Sequence, residues 1–389
     1  MRRRWKTPLL LLLIGVTLGA CTPSSRTAYV IPSLNQSNIS IVQAFASMPI
    51  DTSSDGRIYN LNTFSPAPGK TSFLFMLSDV PYILAEDGHL QSPDIHCDSP
   101  ASVTLDGAWM SCMSGRYTNP EMHQDTKRYS PVAGGSMHQD TKRYSPVAGG
   151  SIHQDHLTLL AGEQPEIDGM YWSPDGQYLA TIQWVGHYNS NTSTSDRHCS
   201  IVLYAFDRAA QTFSPPIQAQ PTVPLSANPQ QEAPLCPMNI AWKPDGTWLA
   251  VSLLNNDATL LLSLANLPSA RAEALANRSL TVMDIPKIIT LNTKKIYSPT
   301  WNPVTGTLTY LTAFDGDVIN SYDSATGKET TLFTLPLGSA GHIHSLAWKP
   351  DGSALYFLYG IPQCDSDHPG TCPAQARSQV YALTSTGST

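Results

Sequence analysis

The stretch Trp172-Ser173-Pro174-Asp175-Gly176 decides the fold, because it recurs along the chain. Two further copies keep all four signature residues: Trp242-Lys243-Pro244-Asp245-Gly246 and Trp348-Lys349-Pro350-Asp351-Gly352. A weaker copy, Trp301-Asn302-Pro303-Val304-Thr305-Gly306, lacks the aspartate, and Leu105-Asp106-Gly107 is a vestige without the tryptophan and the proline. Recurrence of one short unit along a chain is the signature of a repeat architecture.

Each copy predicts a turn that leads into a strand. Proline fixes φ at the first corner, aspartate accepts hydrogen bonds from the backbone of the turn, and glycine takes the left-handed position. Apolar, β-prone runs follow the copies, at Tyr178–Ile182, Trp248–Leu253, Leu308–Leu311 and Ala354–Leu358. The tryptophan then ends the preceding strand and packs against a neighbouring sheet. One such unit cannot bury both faces of its sheet, whereas several units stacked in a ring can.

These residues resemble the WD40-like repeat of TolB-type β-propellers and of the propeller domains of prolyl-oligopeptidase relatives. The resemblance covers residues 100–384 and fits residues 39–95 only loosely. It implies an all-β fold, a β-propeller of six or seven four-stranded blades with long loop insertions, over residues 37–389. A β-sandwich with incidental turns is the alternative.

The spacing of the copies tests this interpretation. Gly306 and Gly352 are 46 residues apart, close to the roughly 40–45 residues of a four-stranded blade. The wider gaps before Gly306 require insertions, for which residues 189–196 and 215–237 are candidates. The 15 residues from Met122 to Ser136 are repeated identically at 137–151. We expect residues 122–151 to be a duplicated loop insertion at the surface.

The N-terminal sequence predicts where the protein resides. A basic segment with Arg2, Arg3, Arg4 and Lys6 precedes a short apolar run that ends in Leu18-Gly19-Ala20-Cys21. This pattern defines a secretory signal peptide, and the run is too short for a permanent membrane span. A cysteine after Leu-Gly-Ala resembles the bacterial lipobox, whose cysteine is lipidated.

We therefore expect residues 1–20 to be a lipoprotein signal peptide, Cys21 the lipid anchor, and residues 21–36 a flexible tether. The protein is then extracytoplasmic and anchored to the cell membrane, or to the outer membrane or periplasmic side if the cell is a diderm. Ordinary secretion with a free cysteine is the alternative.

Six cysteines follow Cys21, and an even number outside the cytoplasm favours disulfides. Pairing in sequence order is expected, because each pair then flanks one loop: Cys97 with Cys112, Cys199 with Cys236, and Cys364 with Cys372. A metal site built from these thiols is the alternative, but the chain has no C-x-x-C spacing that supports it.

Motifs and charge narrow the function. The net charge of −7 and the lack of a basic run beyond the signal segment argue against a nucleic-acid partner. The sequence contains no G-x-S-x-G, H-E-x-x-H, phosphate-loop or dinucleotide motif. We predict no catalytic residues, cofactor or metal. Calcium at Asp315-Gly316-Asp317 or Asp365-Ser366-Asp367, and a metal at His342 and His344, are the alternatives.

The sequence favours a monomeric binding or scaffold module at the cell envelope rather than an enzyme. Its expected partners are the membrane, through the lipid anchor, and an envelope protein or a glycan. The alternative function is a propeller-type hydrolase or lactonase-like enzyme with a metal at the central channel.

Overall fold

The computed structural model describes the following residues: 38–46, 58–77, 80–93, 97, 101–113, 138–144, 152–160, 166–185, 188–189, 194–195, 198–221, 237–253, 259–291, 296–312, 318–336, 341–360 and 378–384. All of them belong to one compact unit, Asn35–Thr389. The predicted signal peptide, Cys21 and the tether up to residue 36 lie outside the described residues.

The described chain begins with strand β1 (Ile39–Ile41) and a single helical turn, α1 (Gln43–Ala46). Five antiparallel sheets of four strands follow, which we name blades A to E. Blade A contains β2 (Ile58–Phe64), β3 (Ser72–Leu77), β4 (Val80–Ala85) and β5 (Leu90–Gln91). Blade B contains β6 (Ser102–Val103), β7 (Met110–Met113), β8 (His138–Tyr144) and β9 (Ile152–Thr158).

The chain then enters a larger sheet, the expanded sheet, before it returns to four-stranded blades. Its path is β10 (Glu166–Trp172), β11 (Tyr178–Val185), β14 (His198–Asp207), β16 (Ile217–Pro221) and β20 (Thr281–Ile285), with β15 (Thr212–Phe213) paired to β14. A small hairpin pairs β12 (Tyr188–Asn189) with β13 (Thr194–Ser195). All of it except Tyr188 falls in the predicted insertion 189–196. Strand β20 pairs with β16 in parallel.

The last three blades complete the chain. Blade C contains β17 (Pro237–Trp242), β18 (Trp248–Leu253), β19 (Thr259–Ser263) and β21 (Ile288–Leu291). Blade D contains β22 (Ile296–Trp301), β23 (Leu308–Thr312), β24 (Val318–Asp323) and β25 (Lys328–Thr334). Blade E contains β26 (His342–Trp348), β27 (Ala354–Gly360) and β28 (Ser378–Thr384), and its fourth strand is β1.

Helix α2 (Leu267–Asn277) is the longer of the two helices in the described chain. It lies between β19 and β20. The chain therefore leaves blade C after β19, adds β20 to the expanded sheet, and re-enters blade C as β21. Proline begins the helix, where its missing N–H is not needed, and Arg278 ends it with a left-handed φ of +50°. Neither helix of the described chain has the length and apolarity of a membrane span.

Hydrogen bonds join the innermost strands of all six sheets into a closed ring. Each bond crosses from one sheet to the next: Asn60 Nδ2 to Ala101 O (2.6 Å), Trp172 N to Ser102 Oγ (2.9 Å), Trp242 Nε1 to Tyr171 O (2.9 Å), Trp301 Nε1 to Ala241 O (3.1 Å), Leu346 N to Ser298 Oγ (2.9 Å) and Leu61 N to Ser345 Oγ (3.1 Å). The fold is a β-propeller. Strand β1 closes the ring by pairing with β28, for example Ile39 with Leu383.

The predicted number of blades is wrong. The sequence interpretation gives six or seven four-stranded blades, whereas the described chain has five, together with the expanded sheet. The physical reason is the excursion through α2 and β20. It lengthens the distance between the turn motifs of blades C and D and adds an outer strand to the sheet that precedes blade C.

Apolar side chains fill the space between neighbouring sheets, which is where a propeller has its core. Blades A and B share a cluster around Phe64 and Leu74, and blades E and A share one around Phe73 and Tyr356, whose rings are 4.9 Å apart. The cluster between the expanded sheet and blade C is the largest, because α2 and β20 add to it. At about 25 cal/mol per Å² of buried apolar surface, these contacts supply the main stabilising term of the fold.

The turns between first and second strands have the geometry that the motif requires. Four glycines at these turns have φ between +63° and +71°: Gly176, Gly246, Gly306 and Gly352. Residues other than glycine rarely adopt this left-handed conformation. In the turn of the expanded sheet, Asp175 accepts hydrogen bonds from Ser173 Oγ (2.6 Å) and Gln177 N (3.0 Å). A Cβ added at Gly352 would lie 2.8 Å from Asn302 Oδ1, so close packing of adjacent turns also requires this glycine.

The duplicated peptide is not only a loop. Its second copy supplies β8, which pairs with β7 and with β9, where the partial third copy begins. The expectation of a loop insertion is therefore wrong for His138–Tyr144, while residues 122–137 and 145–151 lie outside the described residues. A polar sequence is acceptable in the outer half of a blade, because strands there need bury only part of their side chains.

Cys97 and Cys112 form a disulfide with a Cα–Cα distance of 5.5 Å, and both are buried. Cys199 is also disulfide-bonded, and its predicted partner Cys236 lies outside the described residues, as do Cys364 and Cys372.

We expect the variant Cys97→Ala/Cys112→Ala to lose about 3 kcal/mol of unfolding free energy, because the bond closes a loop of about 15 residues. Urea unfolding followed by circular dichroism measures the loss. The double variant is preferable to a reductant, which would also reduce the bond at Cys199. An unchanged urea midpoint would contradict the expectation.

Candidate binding channel

Irregular pairing near the start of the innermost strands shapes the centre of the ring. β2, β10, β17, β22 and β26 each shift register against their neighbour. Such a bulge leaves a residue unpaired and turns side chains away from the plain alternation of a strand. At two bulges the backbone is left-handed, with φ of +53° at Asn60 and +47° at Ser298. At these two bulges, Asn60 and Ser298 line the centre of the ring.

A cavity of about 200 Å³ occupies the centre, and all six innermost strands line it. Its polar side chains are Asn60, Asn62, Thr63, Ser102, Tyr171, Ser298, Thr300 and Ser345. Its other walls are apolar, with Trp172, Trp242, Trp301 and Trp348 among them. Among the described side chains that line this channel, none is Asp, Glu, His, Lys or Arg.

Three serines in the channel wall link neighbouring sheets by hydrogen bonds and can still donate one hydrogen bond each. The hydroxyl oxygens of Ser102, Ser298 and Ser345 each accept one backbone N–H from an adjacent sheet. A serine hydroxyl also carries one donor hydrogen, and no group of the described chain accepts these three hydrogens. Thr300 lines the same cavity, and its hydroxyl makes no hydrogen bond within the described chain. The wall thus offers several uncharged donors to a ligand or to water.

The two asparagines hold their amide groups in place from one side. Asn60 Nδ2 donates to Ala101 O, and Asn62 Nδ2 donates to Asn60 O at 3.2 Å and to Ala101 O at 3.3 Å. With the NH₂ groups committed to the backbone, the Oδ1 atoms remain as acceptors. Thr63 Oγ1 donates to Trp348 O and joins blade A to blade E at the same level.

Burial raises the pKa of Tyr171 above its ordinary value, and the nearby Asp168 carboxylate raises it further. The Tyr171 hydroxyl donates a long hydrogen bond of 3.4 Å to Met238 O. The phenol is neutral at physiological pH, as it is at the ordinary tyrosine pKa of about 10. Asp168, at the bulge of β10, is exposed and does not line the cavity.

Buried tyrosines give the fold an alkaline limit. Burial raises the pKa of Tyr204 and Tyr356, and burial with the neighbouring Tyr359 raises that of Tyr381 to about 12. Unfolded tyrosine ionises near pH 10. Above that pH the folded state holds more protons than the unfolded state, so stability falls as the pH rises from about 10 through 12.

We expect tyrosinate absorbance from these buried rings to appear together with loss of the β-sheet circular dichroism signal. Parallel titrations by absorbance and circular dichroism test this. Full ionisation near pH 10 with an intact β signal would contradict it.

The repeat residues fall into two groups by position. The four tryptophans and Pro174, Pro244 and Pro303 line the channel, so the motif contributes to its wall. The aspartates Asp175, Asp245 and Asp351 lie at exposed turns outside it. Hydrogen bonds from Lys243 and Thr247 lower the pKa of Asp245 against the opposing effect of partial burial, which keeps it ionised as a turn residue.

The described residues do not form a metal site at the positions that the sequence analysis gave as alternatives. The ring centroids of His342 and His344 are 6.5 Å apart, and neither residue lines the channel. Both candidate calcium loops, 315–317 and 365–367, lie outside the described residues. Within the described ranges, no three His, Cys, Asp or Glu side chains are grouped so that they could hold a metal.

Another cavity, of about 330 Å³, lies in blade A near β4 and β5. Lys70, Glu86, Asp87 and His89 are among its lining residues, and its walls come from one blade. Asp87 Oδ1 accepts the backbone N–H of His89 at 3.0 Å, as in an ordinary turn. The channel differs from this cavity because all six sheets of the ring build it.

Sequence reasoning missed the polar residues of the channel and one of the turns. The turn after β2, Phe64-Ser65-Pro66-Ala67-Pro68-Gly69, has Gly69 at φ +73°. Its spacing, with Pro two and Gly five residues after the aromatic residue, is that of the Trp301 copy. Searching for that spacing with any aromatic residue would have located blade A. Four of the polar residues, Asn60, Asn62, Ser298 and Ser345, lie two to four places before the aromatic residue of their turn, and Thr63, Tyr171 and Thr300 directly precede it.

No family model matches the chain, and no curated protein matches it. Several solved structures are similar in shape. A luciferin-regenerating enzyme has a TM-score of 0.48 and 11% identity, covering 90% of this chain and 95% of its own. The Pseudomonas aeruginosa periplasmic gluconolactonase has a TM-score of 0.42 and 14% identity, with 83% and 82% covered.

A third similar structure, Kuenenia stuttgartiensis hydrazine synthase, has a TM-score of 0.43 and 12% identity, covering 81% of this chain and 78% of its own. At these identities and TM-scores the similarities assign neither an activity nor a ligand.

Proposed function

We propose that the protein is a lipid-anchored, extracytoplasmic β-propeller with TolB-like repeats that acts as a binding module at the cell envelope. The signal-like N-terminus and Cys21 support the anchor and the location. The repeated Trp-x-Pro-Asp-Gly turns support the relation to TolB-type propellers. In this proposal the channel mouth holds an envelope component, a protein segment or a glycan.

The observation that carries the proposal is the neutral wall of the channel. Acid–base and metal-assisted catalysis both use titratable side chains that face the reacting group. The side chains that line this channel are amides, aliphatic hydroxyls, indoles, aliphatic groups and the phenol of Tyr171, whose pKa is raised and which is protonated at physiological pH. Such a wall suits recognition, because each group can fix a ligand without changing its protonation.

Photo-crosslinking from the channel tests the binding role. A photoreactive residue at Thr300 lies in the wall, and one at Thr290, exposed on the outer strand β21, is the matched control. We expect Thr300 to give a discrete crosslink to an envelope component in intact cells and Thr290 to give none. Equal crosslinking from both positions, or a hydrolytic activity lost on mutation of channel residues, would overturn the binding role.

Cell fractionation tests the anchor separately. We expect Cys21→Ala to move the protein from the membrane fraction to the soluble extracytoplasmic fraction, because an acyl chain contributes about 0.8 kcal/mol of membrane affinity per buried CH₂. Ser24→Ala, three residues further on, is the control and should remain with the membrane. Retention of the Cys21→Ala variant in membranes would show that the anchor is not at this cysteine.

A further inference from the structure

We propose that the channel binds an uncharged, hydroxyl-rich ligand the size of one sugar unit, either free or at the end of a glycan. This inference rests on the proposed binding function and specifies the chemistry of the ligand. It depends on three properties of the channel: its volume, its lack of charge, and its arrangement of donors and acceptors.

The volume limits the ligand to a small group. Pockets for drug-sized molecules measure about 300–1,000 Å³, whereas this cavity measures about 200 Å³. A single pyranose ring with its hydroxyls fits such a space, and a folded peptide segment does not. Trp172, Trp242, Trp301 and Trp348 and four prolines also line the cavity and add apolar surface, which suits the C–H faces of a sugar ring.

The absence of charge in the wall selects a neutral ligand. An ion transferred into a cavity without an opposite charge loses hydration that nothing replaces. Phosphate or carboxylate ligands would require Arg or Lys, and cations would require carboxylates. The described lining contains neither kind of group. We therefore expect the channel to bind sugar acids and positively charged amino sugars more weakly than neutral sugars.

Donors and acceptors of the wall complement a polyol. Ser102, Ser298 and Ser345 have unused donor hydrogens while their oxygens accept backbone N–H groups. Ser102 and Ser345 are more than nine-tenths buried, at 9% and 6% exposure, and a buried hydroxyl hydrogen without an acceptor is unfavourable. Asn60 and Asn62 add acceptors. A ligand whose hydroxyls both donate and accept satisfies both sets.

The experiment measures binding to the purified full ectodomain by isothermal titration calorimetry and ligand-observed NMR. The probes are glucose, galactose, mannose and N-acetylglucosamine, with glucuronate and glucosamine as charged counterparts. We expect saturable binding of at least one neutral sugar and binding at least tenfold weaker for its charged counterpart.

Thr300→Val is the test variant, because it removes a channel hydroxyl at constant shape and breaks no hydrogen bond of the described chain. We expect it to weaken sugar binding about five- to tenfold. Thr290→Val on the exposed face of blade C is the matched control and should bind as the parent does. Unchanged thermal unfolding of both variants verifies that the fold is retained.

Two results would overturn the inference: no binding of any neutral sugar, or equal binding by Thr300→Val and the parent protein. Either result combined with a specific crosslink from residue 300 leaves the binding function standing with a ligand of another class. Sugar binding without any envelope crosslink would instead support the ligand class and contradict the envelope partner.

Discussion

Deletion of residues 122–151 is expected to lower the free energy of unfolding by about 2–5 kcal/mol. The deletion removes β8, which pairs at seven positions with β9 and at four with β7. Cross-strand pairs contribute about 0.2–1 kcal/mol each, and the strand that remains must move inward to fill the gap. Thermal and urea unfolding, followed by circular dichroism, measure the difference.

Deletion of residues 122–136 is the matched control. The two copies are identical, so the shortened chain still contains the complete sequence of β8 and its approach to β9. The connection from β7 to β8 shortens by 15 residues, which favours folding by less than about 1 kcal/mol. Equal stability of the two deletion variants would show that the second copy is dispensable and that a loop describes it better than a strand.

Trp242→Ala is expected to destabilise the protein by about 3–5 kcal/mol. The indole is 6% exposed, and its Nε1 donates to Tyr171 O of the expanded sheet at 2.9 Å. Its ring also stacks on Tyr178, with centroids 6.2 Å apart. The substitution therefore opens a cavity between two sheets and breaks one link of the hydrogen-bonded ring. A whole domain is stable by only about 5–15 kcal/mol.

Two further variants separate the causes. Trp242→Phe keeps most of the ring packing but loses the inter-sheet hydrogen bond, so we expect an intermediate loss. Trp248→Ala removes a tryptophan of the same blade that is half-buried beneath Lys287, whose Nζ lies 5.7 Å from the ring. Its loss should be the smallest of the three. An equal loss of unfolding free energy at positions 242 and 248 would contradict the role of the hydrogen-bonded ring of sheets in stability.

The turn motif was sufficient to predict the ring, because its chemistry is local. A proline, an aspartate and a glycine define a turn without help from the rest of the fold. The tryptophan adds the long-range part, since its Nε1 reaches the preceding sheet at Trp172, Trp242, Trp301 and Trp348. The turn of blade A was not predicted, because Phe64 and Ala67 stand at the positions of the tryptophan and the aspartate of the motif.

The count of blades and the strand β8 were not predictable from local signals. Strand β20 joins the expanded sheet across more than 50 residues of sequence, through parallel pairing with β16. Nothing in Thr281–Ile285 indicates which sheet it will extend. The duplicated peptide is polar and lacks the alternation of apolar and polar residues that is typical of a half-buried strand. Its sequence therefore favours a loop. Its pairing depends on the partners that β7 and β9 offer.

The channel wall follows from backbone geometry that the sequence does not display. Ser298 and Ser345 occupy the same place before the tryptophan in blades D and E, yet both reach the wall only because a bulge lies beside them. Other blades have different residues at that place, such as Leu61 and Gly169. Without the bulges, strict alternation would assign half of these side chains to the wrong face.

The pairing of β1 with β28 has a consequence for the order of assembly. A ribosome delivers Ile39–Ile41 long before Ser378–Thr384, so the earliest strand waits for the latest to arrive. Intermediate sheets can form one after another as they are synthesised, but the ring stays open until Ser378–Thr384 is available. A nascent chain therefore acquires its full resistance to proteolysis in one late event.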